Sequence, residues 1–237
     1  MRSFPLPVFA LAAALFLAPA LHAQADATYR TPSAALAAIV EAPLTPLVSL
    51  SPDKKTILLL ERPALPPVAE LAAPELRLAG LRINPATNGP SRDTYYTGFV
   101  AKTLAGGAER RVTGFPAGAR LNSFAWSRDS RHLLVTVTHA NSVQLWLADL
   151  ANATARRLTQ RALNGVIDEP TWVDDTTIVA SFIPAGRGAE PVAPTVPAGP
   201  VVQENLSGKR PARTYPDMLA NAYDEALFER KSSGRSR

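Results

Sequence analysis

The chain has 237 residues, enough for one large domain or two small ones. It has no cysteine, which excludes disulfides, thiolate metal sites and a cysteine nucleophile. The net charge of +5 is carried by Arg2 and by Arg230, Lys231, Arg235 and Arg237, so residues 3–229 are neutral and present no nucleic-acid-binding face.

Residues 1–25 read as a secretory signal: Arg2, an apolar core at 8–18, and an Ala23-Gln24-Ala25 cleavage site. Pro19 breaks the apolar run, which is short of the roughly 20 residues a spanning helix needs. We therefore expect removal, no membrane contact afterwards, and a periplasmic or secreted mature chain. Residues 26–46 form an N-terminal segment with a short helix at 31–40, capped by Thr31 with Pro32 in its first turn and ended by Pro43 and Pro46.

Residues 47–60 predict a strand, a tight Ser51-Pro52-Asp53 turn and a second strand. Residues 62–92 read as an insertion, with a helical turn near 68–72, a strand at 76–83, and turns at Asn84-Pro85 and Asn88-Gly89-Pro90. Such an insertion serves either as a functional rim loop or as a stabilising flap.

Residues 99–182 contain one unit written twice. A shift of 46 residues superposes Leu104 on Leu150, Arg110-Arg111 on Arg156-Arg157, Thr113 on Thr159, Trp126 on Trp172 and Asp129 on Asp175. It also places Val112 on Leu158, Leu121 on Ile167 and Leu133 on Val179. The period suits propeller blades or helical pairs, and short β-rich runs split by turn residues decide for blades. Asp53 is a third copy of the Asp129 and Asp175 turn, and the 30 extra residues between Asp53 and Asp129 are the insertion. A turn Asp accepts backbone N–H groups, so all three are read as structural. Residues 184–213 form a Pro/Gly-rich connection, 214–229 a short helix approaching a further strand, and 230–237 (RKSSGRSR) a disordered basic tail.

No G-x-S-x-G, H-E-x-x-H, P-loop or dinucleotide fingerprint occurs. His132 reads as a half-buried strand residue and His139 is unassigned. Trp126, Trp146 and Trp172 read as packing residues, and the paired arginines as solvated. No catalytic residue, cofactor or metal site is assigned.

Two stretches, EAPLTPLVSLSPDKKTILLLERPALPPVAELAAPELRLAGLRINPATNGPSR at 41–92 and GPVVQENLSGKRPARTYPDMLANAYDEALFE at 199–229, resemble the propeller of glutamyl endopeptidase-like enzymes of the prolyl oligopeptidase family. ELRLAGLRINP is the specific part, and the resemblance runs from Tyr29 to Glu229. It implies a serine peptidase in which a propeller gates peptide access to a hydrolase domain carrying Ser, Asp and His.

The sequence expectation is all-β: an incomplete β-propeller of two to three four-stranded blades over 47–229, with a short N-terminal helix and Pro-rich insertions. The chain stops before a hydrolase domain, and the change at Arg230 reads as a frameshift or truncated gene, so we expect no activity of its own. Its partner would be a peptide substrate in the full-length relative, with self-association through open edges. The alternative is a stand-alone periplasmic binding or scaffolding module.

Overall fold

The computed structural model describes residues 30–196 and 217–236. The chain divides into two units, Met1–Val40 and Glu41–Arg237. The predicted signal at 1–25 and much of the 184–213 connection lie outside the described residues.

In the first unit, α1 (Ala34–Val40) is the expected helix with a corrected cap. Ser33, not Thr31, begins it: its hydroxyl accepts the Leu36 N–H at 3.4 Å and its carbonyl the Ala37 N–H at 3.0 Å.

The second unit is built mostly of antiparallel β-structure. Sheet 1 has the order β1 (Leu47–Leu50), β2 (Thr56–Glu61), β6 (Gly98–Thr103), β7 (Arg110–Arg111). Sheet 2 is formed by β8 (Arg120–Trp126), β9 (His132–His139), β10 (Ser142–Asp149) and β11 (Thr154–Arg157), each paired with the next. Between β2 and β6 the insertion folds as its own sheet of β3 (Leu76–Leu78), β4 (Leu81–Asn84) and β5 (Gly89–Pro90), preceded by α2 (Val68–Leu71). The strand expected at 76–83 is thus a hairpin. Ala79 and Gly80 both have positive φ, 52° and 79°, as a tight two-residue turn requires.

The two large sheets stack face to face. Leu58, Leu60, Phe99 and Ala101 of sheet 1 meet Leu133, Val135, Trp146 and Ala148 of sheet 2, all at most 8% exposed. Phe99 and Phe124 cross there at 5.3 Å and 87°, an edge-to-face pair. The other face of sheet 2, with Leu134, Val143 and Leu145, packs on Leu163, Ala180 and Phe182. Sheet 2 is covered on both faces, which is why Leu133–Val137 is an unbroken buried run rather than an alternating one. By repeat register, the sheet 2 face that meets sheet 1 corresponds to the outward face of sheet 1. The units therefore stack in one direction, same face leading. That outward face stays open: Val48 is 64% and Leu50 47% exposed.

Within the same unit, the third copy of the repeat departs from the pattern. It comprises β12 (Thr171–Trp172) paired with β13 (Ile178–Val179), and β14 (Ser181–Phe182) paired with β15 (Arg235–Ser236). Trp126 pairs with Leu133, whereas Trp172 pairs with Ile178. The third turn is one residue shorter, so beyond it the repeat runs at 45 and Ile178, not Val179, matches Leu133. The equivalence of Leu121 and Ile167 also fails: Leu121 is fully buried and Ile167 is 55% exposed.

Helix α3 (Ala222–Ser232) is capped by the Asn221 side chain, which accepts the Asp224 N–H, and it continues past Glu229. Lys231, expected in a disordered tail, is 3% exposed. Leu227 of α3 packs on Leu78 and Ile83 of the inserted sheet. The expectation of a disordered tail at 230–237 is thus corrected: the helix runs on to Ser232, and β15 follows it and pairs with β14.

Candidate functional site

The repeated turns carry a shared hydrogen-bond pattern. Ser51 Oγ donates to Asp53 Oδ1 at 2.6 Å, and that oxygen accepts the Lys55 N–H at 3.0 Å. Ser127 Oγ and the Arg131 N–H meet Asp129 Oδ1 at the same distances. These bonds, the serine hydroxyl first, hold the Asp53 and Asp129 carboxyls below the usual range. In the shorter third turn the role passes to Asp174, whose Oδ1 accepts the Thr176 and Thr177 N–H groups at 2.8 and 2.7 Å. The Thr176 amide leads the causes that lower its pKa to about 2. Asp175, expected in that role, instead accepts the Asp129 N–H of the preceding turn at 3.0 Å. The Asp53 N–H likewise donates to Ser130 Oγ at 3.1 Å.

Two tryptophans extend these links. Trp126 Nε1 donates to Ser49 Oγ and Trp172 Nε1 to the Ala125 carbonyl, both at 3.0 Å. Ser49 and Ala125 are equivalent positions of successive units, so each indole ties its unit to the one before. Trp146 Nε1 is satisfied by Gln144 Oε1 at 3.0 Å. Arg110 and Arg111 are exposed, as expected, and also bonded: Arg110 donates to the carbonyls of Leu150 and Ala151, each at 2.8 Å, and Arg111 pairs with Glu61. Beside them Gly114, at φ 101°, lies so close to the next sheet that a Cβ would sit 2.3 Å from the Ala155 carbonyl oxygen. All of this is architecture.

His132 is half-buried, as expected, and its backbone closes the turn: its N–H donates to Ser127 Oγ at 2.9 Å. The Ser142 hydroxyl donates to the His139 carbonyl at 3.3 Å. Among the described residues no serine hydroxyl bonds a histidine ring.

The chemically suggestive place is elsewhere, where the insertion meets sheet 2. The insertion leaves sheet 1 at the β2–β6 connection, which corresponds in sheet 2 to the short β9–β10 hairpin at Ala140-Asn141. Between the insertion and that hairpin lies a cavity of about 300 Å³, lined among others by Glu70, Arg92, Tyr95, Arg120, Asn122 and His139. A second cavity of about 240 Å³ adjoins it and shares Glu70, Arg92 and Tyr95.

Helix α2 presents Glu70 inside out: Glu70 is 7% exposed while Val68 and Leu71 are 80% and 50% exposed. Arg120 opens β8, and a bridge between Tyr96 and Leu121 brings its neighbour Tyr95 alongside. The guanidinium lies 5.1 Å from the Tyr95 ring centre and 3.5 Å from Glu70 Oε2. That oxygen is buried and accepts no hydrogen bond from any described residue. Burial first, then the Glu70 charge, pushes the Tyr95 phenol up, with Arg120 opposing. Of these residues the sequence reading singled out His139 alone. The one available signal was Glu70, a charge in an apolar Pro-flanked helical turn.

No family model matches the chain. It is 40% identical over 215 residues, 85% of the chain, to a probable chloroplastic glutamyl endopeptidase of Oryza sativa subsp. japonica. Its identity to the protein of the same name from Arabidopsis thaliana is 37% over 220 residues, 87% of the chain. The chain spans 23% of the length of each of these relatives. Among solved structures, the apo AtxE2 isopeptidase is 19% identical with a TM-score of 0.36, over 59% of this chain and 21% of that one. The resemblance read from the sequence is borne out, and over most of its length this chain is homologous to a segment of the glutamyl endopeptidases.

Proposed function

We propose that this chain is the substrate-gating β-propeller portion of a secreted serine peptidase of the prolyl oligopeptidase family, and that it cuts no peptide itself. The observation that carries this reading is the 40% identity, over 85% of the chain, to the Oryza glutamyl endopeptidase. The stacking supports it. Two four-stranded sheets follow each other with the same face leading, and the indole link recurs at the same position in the next unit. Unidirectional stacking of small antiparallel sheets is how blades succeed one another in a propeller. A nucleophilic serine needs a base within hydrogen-bond reach, and the described serines meet histidines through backbone groups or not at all. The secretory-signal pattern of residues 1–25 supports a periplasmic or secreted mature chain with peptides as its partners.

A stand-alone binding module is the second reading, favoured by the way α3 covers the inserted sheet and β15 pairs with β14.

The test of inactivity exposes the purified chain to a fluorophosphonate probe and to Glu-containing chromogenic peptides. No labelled serine and no turnover above buffer are expected. Labelling of any serine overturns the reading.

A further inference from the structure

We propose that the cavity between the insertion and the β9–β10 hairpin binds an extended stretch of polypeptide, one residue of which turns its N–H to Glu70 and its C=O to Arg120. The choice of polypeptide rests on the reading of this chain as a gating portion; the polarity of the site comes from its geometry.

The Glu70 side chain is more than nine-tenths buried, and its Oε2 has no hydrogen-bond donor among the described residues. A buried acceptor left empty is unfavourable until an N–H reaches it. Arg120, at 3.5 Å, balances the charge without making that bond. Its own guanidinium bonds no other described residue. The site is thus neutral as a pair yet open for both a donor and an acceptor. An ammonium ligand would meet Arg120 and a carboxylate would meet Glu70, whereas a residue of an extended chain turns its N–H and its C=O to the same side and repels neither. Asn122 lines the same wall; its Oδ1 accepts from Thr138 Oγ1 at 2.8 Å, and its amide N–H₂ bonds no described residue.

The shape argues for an elongated ligand. The cavities of about 300 and 240 Å³ share Glu70, Arg92, Asp93 and Tyr95, so the site opens into more space than one side chain fills. Next to them the insertion exposes Leu65 (63%), Val68 (80%) and Leu71 (50%), apolar surface suited to the side chains of a bound segment.

The probe is an acetylated, amidated nonapeptide of Ala, Leu and Ser carrying one benzophenone side chain, added to the full chain. Crosslinks should fall within residues 92–95 or 118–122. Affinity should drop at least tenfold in Glu70→Ala and in Arg120→Ala, and stay within threefold in Glu70→Gln, which keeps an acceptor oxygen. Circular dichroism melts establish that each variant is folded. N-acetylalanine N-methylamide, which carries one residue's N–H and C=O, should compete better than butylammonium or acetate. Absence of binding by the native chain, equal affinity in the alanine variants, crosslinks elsewhere, or stronger competition by either ion overturns the proposal. A chain that fails here while its segment still restricts substrates in the Oryza enzyme sinks this site and leaves the gating reading standing.

Discussion

The pair Leu121 and Ile167 separates the repeat as written from the repeat as folded. The 46-residue shift makes them equivalent, so the sequence predicts similar effects on truncation. The structure does not: Leu121 is 0% exposed, between sheets 1 and 2, whereas Ile167 is 55% exposed. Leu121→Ala leaves a cavity in a filled interface, a change of about 2–5 kcal/mol. Ile167→Ala removes exposed atoms and should stay within about 0.5 kcal/mol. For a chain of this length each kcal/mol moves the midpoint by roughly 2–4 °C, so Leu121→Ala should lower Tm by roughly 4–20 °C and Ile167→Ala by under about 2 °C. Thermal and urea unfolding followed by circular dichroism measure both. Equal shifts would mean that the third copy of the repeat buries its first strand as the second does, and the shortened-turn description would be wrong.

The remaining expectations are local. Asp174 has a folded pKa of about 2, below its unfolded value, so its contribution is present above about pH 4 and lost as pH falls through 2. Asp174→Asn should therefore lower Tm at pH 7, with the gap from the native chain closing between pH 4 and 2, and should outweigh Asp175→Asn at pH 7. A double-mutant cycle on Trp126→Phe and Ser49→Ala, partners 77 residues apart, should show a coupling of about 0.5–1.5 kcal/mol, and zero coupling refutes the indole link. Gly114→Ala should destabilise by about 1–3 kcal/mol in urea titrations, more than Gly106→Ala, because a Cβ at Gly114 strikes backbone while one at Gly106 meets open space. The exposed Val48 and Leu50 face should drive self-association; light scattering should show oligomers that a Val48→Glu, Leu50→Glu double variant returns to monomer.

Much of the frame was legible because it is written locally. Ser51-x-Asp53 and Ser127-x-Asp129 encode their own turns, and the excess residues after Asp53 located an insertion that folds as a separate sheet. The misreadings came from single residues whose effect is geometric. One residue fewer between Val173 and Thr177 passed the turn role from Asp175 to Asp174 and reversed which later residues face sheet 2. Ala79-Gly80 reads as the middle of a strand until both adopt positive φ. Lys231 looked like a solvated tail residue because its partners, the Pro85 carbonyl and Glu190, are far away in sequence. The Glu70 and Arg120 pair was illegible for the same reason: two ordinary charges 50 positions apart become a site only when the insertion folds onto β8.

The central claim, a gating segment related to glutamyl endopeptidases, is tested most directly by a chimera. The matching segment of the Oryza protein is replaced by residues 30–236 of this chain. Cleavage of a short Glu-containing peptide is then compared with that of a folded protein substrate, beside the parent and a version with the segment deleted. The account predicts that the chimera, like the parent, cleaves the peptide and spares the folded protein, while the deletion loses that discrimination or fails to fold. A chimera that folds, cleaves the peptide at the parental rate and degrades folded protein as readily would contradict it.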